Sequence, residues 1–524
     1  MKPPREIELK LEVPEEALAR LTRSPLLRTI RHGTGRPASL VSVYYDTDTQ
    51  KLRKHGLTLR VRHIGRRYVQ TIKRESGGAS SALMDRCEWE HDVAGGTPNL
   101  ALAEGTGLET ILSKKLQAKL KPLFETRVRR KVFPIQNGGS EIELTVDKGV
   151  IAAGRQSLPI CEVELELKRG DKAKLFDVAR ALATQVPIQL AVTSKPERGY
   201  TLVSGNKPSA VLAASVSIPL DASCQIAFQT VSRACLHQII GNQTLTRNGD
   251  AEGLHQTRVG LRRLRAAISV FGGMLLDSQS AIVKGELRWI TRELGPAREF
   301  DVFVEQVVKP ATDGKSLQPG VATLTRDLRR RRHEALSRAR SAVESDRFRA
   351  LLLDAAAWTE AGDWISNADE LARALRDQPI GIVATAEMER RRRKILKWGA
   401  RLAELDPARR HRVRIQAKKL RYASEFFGSA FSGNKAARRR KELIAALKQL
   451  QDRLGDLNDI SVHEDLAERL AIAADDVGKH KFRSTSKAFA AGRLSGREEA
   501  RSASVLESAE RAYARFAKAK PFWR

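Results

Sequence analysis

Glu6-Ile7-Glu8-Leu9-Lys10 and Glu162-Val163-Glu164-Leu165-Glu166-Leu167-Lys168 decide how this chain is read. In both stretches charged and aliphatic residues alternate with a period of two, which predicts strands with carboxylates on one face and apolar residues on the other. A half-buried strand ordinarily turns its polar face to water. Carboxylates gathered this closely repel one another and stay ionised together only where cations lie among them. The pattern therefore predicts a polar cavity walled by strands, holding a divalent metal or a metal with a polyanion.

The counter-charge lies between the two acidic stretches. Leu57-Thr58-Leu59-Arg60-Val61-Arg62, Val69-Gln70-Thr71-Ile72-Lys73, Cys87-Glu88-Trp89-Glu90 and Val128-Arg129-Arg130-Lys131-Val132-Phe133 alternate in the same way. A closed antiparallel barrel with a charged lumen accommodates such strands, because closure removes the edges and alternation separates inside from outside. A sandwich with solvated charged faces is the alternative. Arg60 and Arg62 offer planar forks for phosphate oxygens, and the carboxylates would hold Mg²⁺ or Mn²⁺ against the same oxygens.

Taken in order, EIELK at 6–10, YYDT at 44–47, LTLRVR at 57–62, TIK at 71–73, VDKG at 146–149, EVELEL at 162–167 and SK at 194–195 resemble the CYTH superfamily, the triphosphate tunnel metalloenzymes. The resemblance implies an eight-stranded antiparallel tunnel over residues 1–204 that binds a triphosphate tail with divalent ions. Among its implied metal ligands are Glu6, Glu8 and Glu164, with Glu162, Glu166 and Asp147 as further acidic candidates. Lys10, Arg60, Arg62, Lys73, Arg130 and Lys195 are implied to bind phosphate, and Glu6, Glu8 and Lys10 to be catalytic. Arg130 is preferred to Arg127 and Arg129 because the family's arginine stands three residues before an aromatic, here Phe133. Arg86, Glu88 and Glu90 fit a middle strand of the same tunnel.

At 524 residues the chain exceeds what one core supports, and its net charge of +31 attracts nucleic acid, anionic membrane and inorganic polyanions alike. Aromatics make up only 5% of it, and the clusters Arg329–Arg332 and Arg390–Lys394 contain none, which counts against single-strand nucleic-acid binding. Cys87, Cys161, Cys224 and Cys235 show no CxxC spacing and read as buried thiols in a reducing compartment. No apolar run suits a membrane span, so a cytoplasmic location is expected.

Near Gly205 strand-like alternation stops. Residues 205–219 read as a linker and 220–524 as long helices rich in Ala, Leu, Arg and Glu. Within them His255-Gln256-Thr257-Arg258-Val259-Gly260-Leu261-Arg262-Arg263-Leu264-Arg265 returns 156 residues later as His411-Arg412-Val413-Arg414-Ile415-Gln416-Ala417-Lys418-Lys419-Leu420-Arg421. Each copy is followed by an aromatic and then by a Leu-Gly step that reads as a hinge, Leu294-Gly295 and Leu454-Gly455. Duplication is the simplest account and predicts two pseudo-symmetric bundles, at about 220–365 and 366–524. At helical spacing His255, Arg258, Arg262 and Arg265 share a wedge of about 80°, as do His411, Arg414, Lys418 and Arg421. One histidine and three cations without a carboxylate, twice over, predict an anion site rather than a solvated basic face.

These residues, with LGPAREFDV at 294–302, LQDRLGDLND at 450–459 and KPFW at 520–523, resemble the CHAD domain, an all-helical domain of two four-helix bundles. That resemblance implies inorganic polyphosphate as the ligand of both wedges. The expectation is thus an α+β multidomain protein whose tunnel hydrolyses inorganic triphosphate to diphosphate and phosphate and whose helical half binds polyphosphate, in association with polyphosphate granules. Class IV adenylate cyclase, thiamine triphosphatase, a non-catalytic granule scaffold and an RNA-binding protein remain as alternatives.

Overall fold

The computed structural model of the protein describes residues 5–33, 35–75, 83–305, 319–472 and 481–524. Eight antiparallel strands close into a barrel: β1 (Arg5–Glu12), β2 (Arg36–Asp46), β3 (Leu57–Ile64), β4 (Arg67–Glu75), β5 (Leu83–Val93), β6 (Lys121–Asn137), β7 (Ser140–Ala153) and β8 (Gln156–Arg169). Their order is β5-β4-β3-β2-β6-β7-β8-β1, and β1 returns to pair with β5. The short first strand closes the barrel by dividing its length, with Arg5 to Leu9 opposite β5 and Ile7 to Glu12 opposite β8. The β6–β7 hairpin turns on Gly138-Gly139, both at positive φ (54° and 77°), the backbone that a two-residue turn between twisted strands requires.

The alternation read from the sequence is inverted relative to a water-facing barrel because helices cover the outside. Leu9, Leu11, Leu144, Val146, Val163 and Leu165 point outward into a core shared with α1 (Glu15–Arg23), α2 (Ala173–Ala183) and the helical half of the chain. Their neighbours Glu8, Lys10, Asp147 and Glu164 face inward. α3 (Lys195–Val203) lies across the barrel and is held by a capping box between Ser194 and Glu197.

The helical half contains α4 (Cys224–Gly241), α5 (Ala251–Val270), α6 (Ser278–Glu293), α7 (Gly295–Phe303), α8 (Pro319–Glu344) and α9 (Asp346–Ala361). After these come α10 (Ile380–Gly399), α11 (Pro407–Phe427), α12 (Asn434–Ile472) and α13 (Lys481–Lys518). Helix starts recur 156 residues apart at Cys224 and Ile380, Ala251 and Pro407, and Ser278 and Asn434. The N-caps recur with them: Asp250 accepts from Gly253 N, and Asp406 from Arg409 N. Ser223 and Pro379, equivalent positions, form a β-bridge with each other, and the equivalent rings Phe271 and Phe427 meet edge-on at 5.8 Å. These contacts lie where a pseudo-two-fold axis must pass.

One expectation fails. Leu294-Gly295 separates α6 from α7, where Pro296 withdraws a backbone donor, but Leu454-Gly455 lies inside the unbroken α12 and is no hinge. The thiols also differ from expectation: Cys224 and Cys235 are buried, whereas Cys87 and Cys161 are only half-buried.

Residues 211–218 run along the helices. Asn242 brackets Val211 with two hydrogen bonds, Arg263 donates to Ala214 O, and Ser429 donates to Val216 O. Barrel and helices also meet through buried Glu360, which accepts both arms of Arg233 at 2.6 Å and Lys172 at 3.3 Å. Arg180 reaches Asp354 at 2.8 Å in the same interface. Among the described residues no helix is long and apolar enough to cross a membrane.

Candidate functional site

The barrel encloses a cavity of about 260 Å³ into which the alternating strands aim their charged faces. β1 contributes Glu6, Glu8 and Lys10; β3, Arg60 and Arg62; β4, Lys73; β5, Arg86, Glu88 and Glu90; β6, Arg130; β7, Asp147; and β8, Glu164 and Glu166. Arg127 lies on the opposite face of β6, with its side chain 66% exposed. Lys195 enters from the first position of α3, where an ammonium opposes the helix dipole, and carboxylates from two strands offset that cost.

Two charge clusters fill the lumen. In the first, Lys10 Nζ lies 2.6 Å from Glu164 and 3.4 Å from Glu162. Lys195 Nζ lies 2.7 Å from Asp147 and 2.9 Å from Glu164, and also contacts Glu162. Arg130 grips Asp147 with two bonds of 2.8 and 2.7 Å and reaches Glu164 at 3.0 Å. In the second, Lys73 bridges Glu6 and Glu88, each at 2.8 Å, and Arg60 approaches Glu88 at 3.5 Å. Glu166 stands apart from both and pairs with Lys168 at 2.6 Å.

Electrostatics follow from this crowding. Burial opposes ionisation of Glu164, but Lys10, Lys195 and Arg130 outweigh it and hold the carboxyl well below the usual range. Asp147 is lowered in the same way by Lys195 and Arg130. Lys10 is raised well above an ordinary lysine because Glu162, Glu164 and Glu8 overcome its burial. Arg62 faces Arg60 and Arg130 with no carboxylate ion pair among the described residues, and burial with those like charges pushes it down to about 10. Such an under-compensated lumen cation is well suited to take an anion.

Oxygens of Asp147, Glu162 and Glu164 lie within 4.8 Å of one another. Glu162 is almost wholly buried; its Oε2 makes no hydrogen bond among the described residues and has Arg198 Nη1 at 3.5 Å. An all-oxygen set of three carboxylates suits a hard divalent cation such as Mg²⁺ or Mn²⁺.

Reading the strands passed over two residues of the YYDT stretch. Tyr44 lines the lumen beside Arg60, stacked on Phe124 at 4.6 Å. Burial would raise its phenol, yet Arg60, Arg62 and Lys195 lower it. Asp46 is wholly buried and structural: it accepts from the N–H groups of Thr47, Leu52 and Arg53 and from Tyr200 Oη. Pattern alone does not separate these roles, because both residues sit on one strand.

A second basic site lies where α5 and α11 pack together. Arg258, Arg262 and Arg414 each bury an Nε that has no hydrogen-bond partner. Burial, then Arg414 and Arg262, push the Lys418 ammonium down to about 7, so the two wedges share one electrostatic field across the repeats. Arg258 is pushed down to about 10 by burial and Arg262. The outer members differ. His255 is half-buried, Arg265 is exposed, and Arg421 is bonded to Glu425 and Gln451. His411 is exposed and bonded to Asn458 Oδ1 at 2.7 Å.

Residues 4–200 match the family model of the CYTH domain and residues 230–468 that of the CHAD domain. The chain therefore carries a CYTH tunnel domain followed by a CHAD domain. Over 201 residues it is 32% identical to the inorganic triphosphatase of Haemophilus influenzae, a stretch covering 38% of this chain and 55% of that protein. The chain thus spans about half the length of that curated relative. Among solved structures it is similar to the CHAD domain from the plant Ricinus communis, with 27% identity and a TM-score of 0.49 over 59% of this chain and 97% of that one. It is also similar to a putative adenylyl cyclase from Hippeastrum described as having a dominant triphosphatase activity, with 17% identity and a TM-score of 0.29 over 38% of this chain and 97% of that one.

Proposed function

We propose that the barrel hydrolyses inorganic triphosphate with Mg²⁺ or Mn²⁺ and that the helical half binds inorganic polyphosphate. The observation carrying the first part is the lining of the lumen: Lys10, Arg60, Arg62, Lys73, Arg130 and Lys195 converge on one cavity, and Tyr44 is the only aromatic among the described lining residues. Such a cavity offers much to phosphate and little to a nucleobase or a thiazole ring. This favours inorganic triphosphate over the cyclase and thiamine triphosphatase readings.

Arg60, Arg62 and Arg130 would hold the outer phosphate oxygens by charge-assisted hydrogen bonds, fixing the chain in line for attack. Lys10, Lys73 and Lys195 would neutralise charge as it develops on the leaving oxygen, within a cavity that protects them from water. Tyr44, lowered by its cationic neighbours, can hold or release a proton at Oη. Asp147, Glu162 and Glu164 would hold a divalent ion, which supplies Lewis acidity to the phosphate oxygens when bound, and Glu6 and Glu8, on the same lumen, are the further carboxylates proposed to act with it.

For the helical half, the carrying observation is the convergence of Arg258, Arg262, Arg414 and Lys418 from both repeats, close enough that Arg414 and Arg262 lower the Lys418 ammonium. A flexible polyanion supplies a compensating charge at every phosphate. Cytoplasmic action at polyphosphate granules belongs to the same reading. The test is phosphate release with Mg²⁺ or Mn²⁺ from tripolyphosphate, ATP, thiamine triphosphate and long-chain polyphosphate, with cyclic AMP followed in parallel. Tripolyphosphate is expected to be cleaved fastest, and preferential cyclic AMP formation would overturn the assignment.

A further inference from the structure

α12 runs unbroken past Gly455, although glycine weakens a helix interior relative to alanine. What it makes room for is Arg414. A Cβ at Gly455 would stand 3.1 Å from Arg414 Nη2, 3.6 Å from Nε and 3.7 Å from Cζ, so the guanidinium lies flat against the bare backbone. In the other copy Gly295 lies beside the equivalent Arg258 but leaves room, since a Cβ there would stand 3.7 Å from Nη1, an ordinary contact. On either side of Gly455, Asn458 holds His411 and Gln451 holds Arg421. Both holders are neutral amides, although Arg421 is also paired with Glu425 at 2.6 Å.

We propose that Gly455 is a positioning residue for anion binding: its missing side chain seats Arg414 so that the guanidinium faces the groove between α5 and α11 at full charge. The inference rests on the polyphosphate reading of that groove. A methyl group at 455 would crowd Arg414 Nη2 at 3.1 Å, so the guanidinium must shift from its seat by a few tenths of an ångström.

The test is Gly455→Ala in the full chain, with long-chain inorganic polyphosphate as the probe and Gly285→Ala as control. Gly285 lies inside α6, and a Cβ there would meet nothing within 4 Å. Gly455→Ala is expected to weaken binding about threefold or more, the scale of one charge-assisted hydrogen bond misaligned rather than lost. It should leave tripolyphosphate turnover and helix content unchanged, and Gly285→Ala should bind like wild type. In an Arg414→Ala background, Gly455→Ala should cost nothing further, because its effect passes through Arg414. Wild-type affinity in Gly455→Ala together with weak binding in Arg414→Ala overturns the seat, as does an equal loss from Gly455→Ala in both backgrounds. Undiminished binding in Arg414→Ala overturns the polyphosphate reading itself.

Discussion

Arg130 carries much of the charge balance in the lumen, because Asp147 and Glu164 both lean on it. Replacing it with alanine leaves Asp147, which is wholly buried, with Lys195 as its remaining ion-pair partner among the described residues. Breaking a buried pair from one side costs about 3–5 kcal/mol, and losing one transition-state donor costs about two to three powers of ten in rate. Arg130→Ala should therefore lower both the denaturation midpoint and tripolyphosphate turnover, whereas Arg127→Ala, on the outer face, should change neither appreciably. Lys418 makes a different prediction. Its folded value of about 7 lies below the ordinary lysine value of 10.5, so between these limits the folded chain binds fewer protons than the unfolded one and Lys418 makes stability rise with pH. A polyanion restores the proton. Polyphosphate affinity should accordingly fall as pH rises above about 7, and Lys418→Arg should flatten that profile; titrations from acid to alkaline pH with both proteins decide it.

At the scale of elements, alternation on β1 and β8 was legible because a strand reports its two faces every second residue. The repeat was legible because two helices with equivalent surroundings keep equivalent side chains. Closure was expected from that alternation and is present, but the pairing that makes it was not legible, since β1 pairs with β5 and β8 through different parts of its length, a contact no local pattern encodes. Nor was the division of YYDT: Tyr44 faces the lumen, whereas Asp46 caps the turn beyond the strand and binds Tyr200 of α3. The Leu-Gly steps looked like hinges because glycine in a helical stretch usually signals a break, and only packing reveals the second as a seat. Asp46→Ala tests the element-scale account. It strips partners from buried donors, each worth about 1–3 kcal/mol when left unsatisfied, and loosens the helix that presents Lys195. The barrel should lose stability and turnover, and polyphosphate binding by the full chain should persist.

Over the whole molecule, the apolar outer face of β1, β7 and β8 continues into the core of the helical bundles, joined at its margin by Glu360 with Lys172 and Arg233. The barrel nevertheless completes its own hydrogen-bonded ladder, and every proposed tunnel residue lies before residue 205. A fragment of residues 1–205 should thus keep tripolyphosphate hydrolysis but melt below the full chain, because it exposes apolar surface that the helices cover. A folded but inactive fragment would assign the helices a direct part in the reaction. The central claim, that carboxylates of β1 act with the lumen cations to hydrolyse triphosphate, is met most directly by phosphate release from tripolyphosphate with Mg²⁺ or Mn²⁺ in the full chain carrying both Glu6→Gln and Glu8→Gln. These near-isosteric changes preserve the lumen's volume while removing its charge. The account predicts a folded barrel with hydrolysis abolished, and substantial turnover by the folded double variant would contradict it.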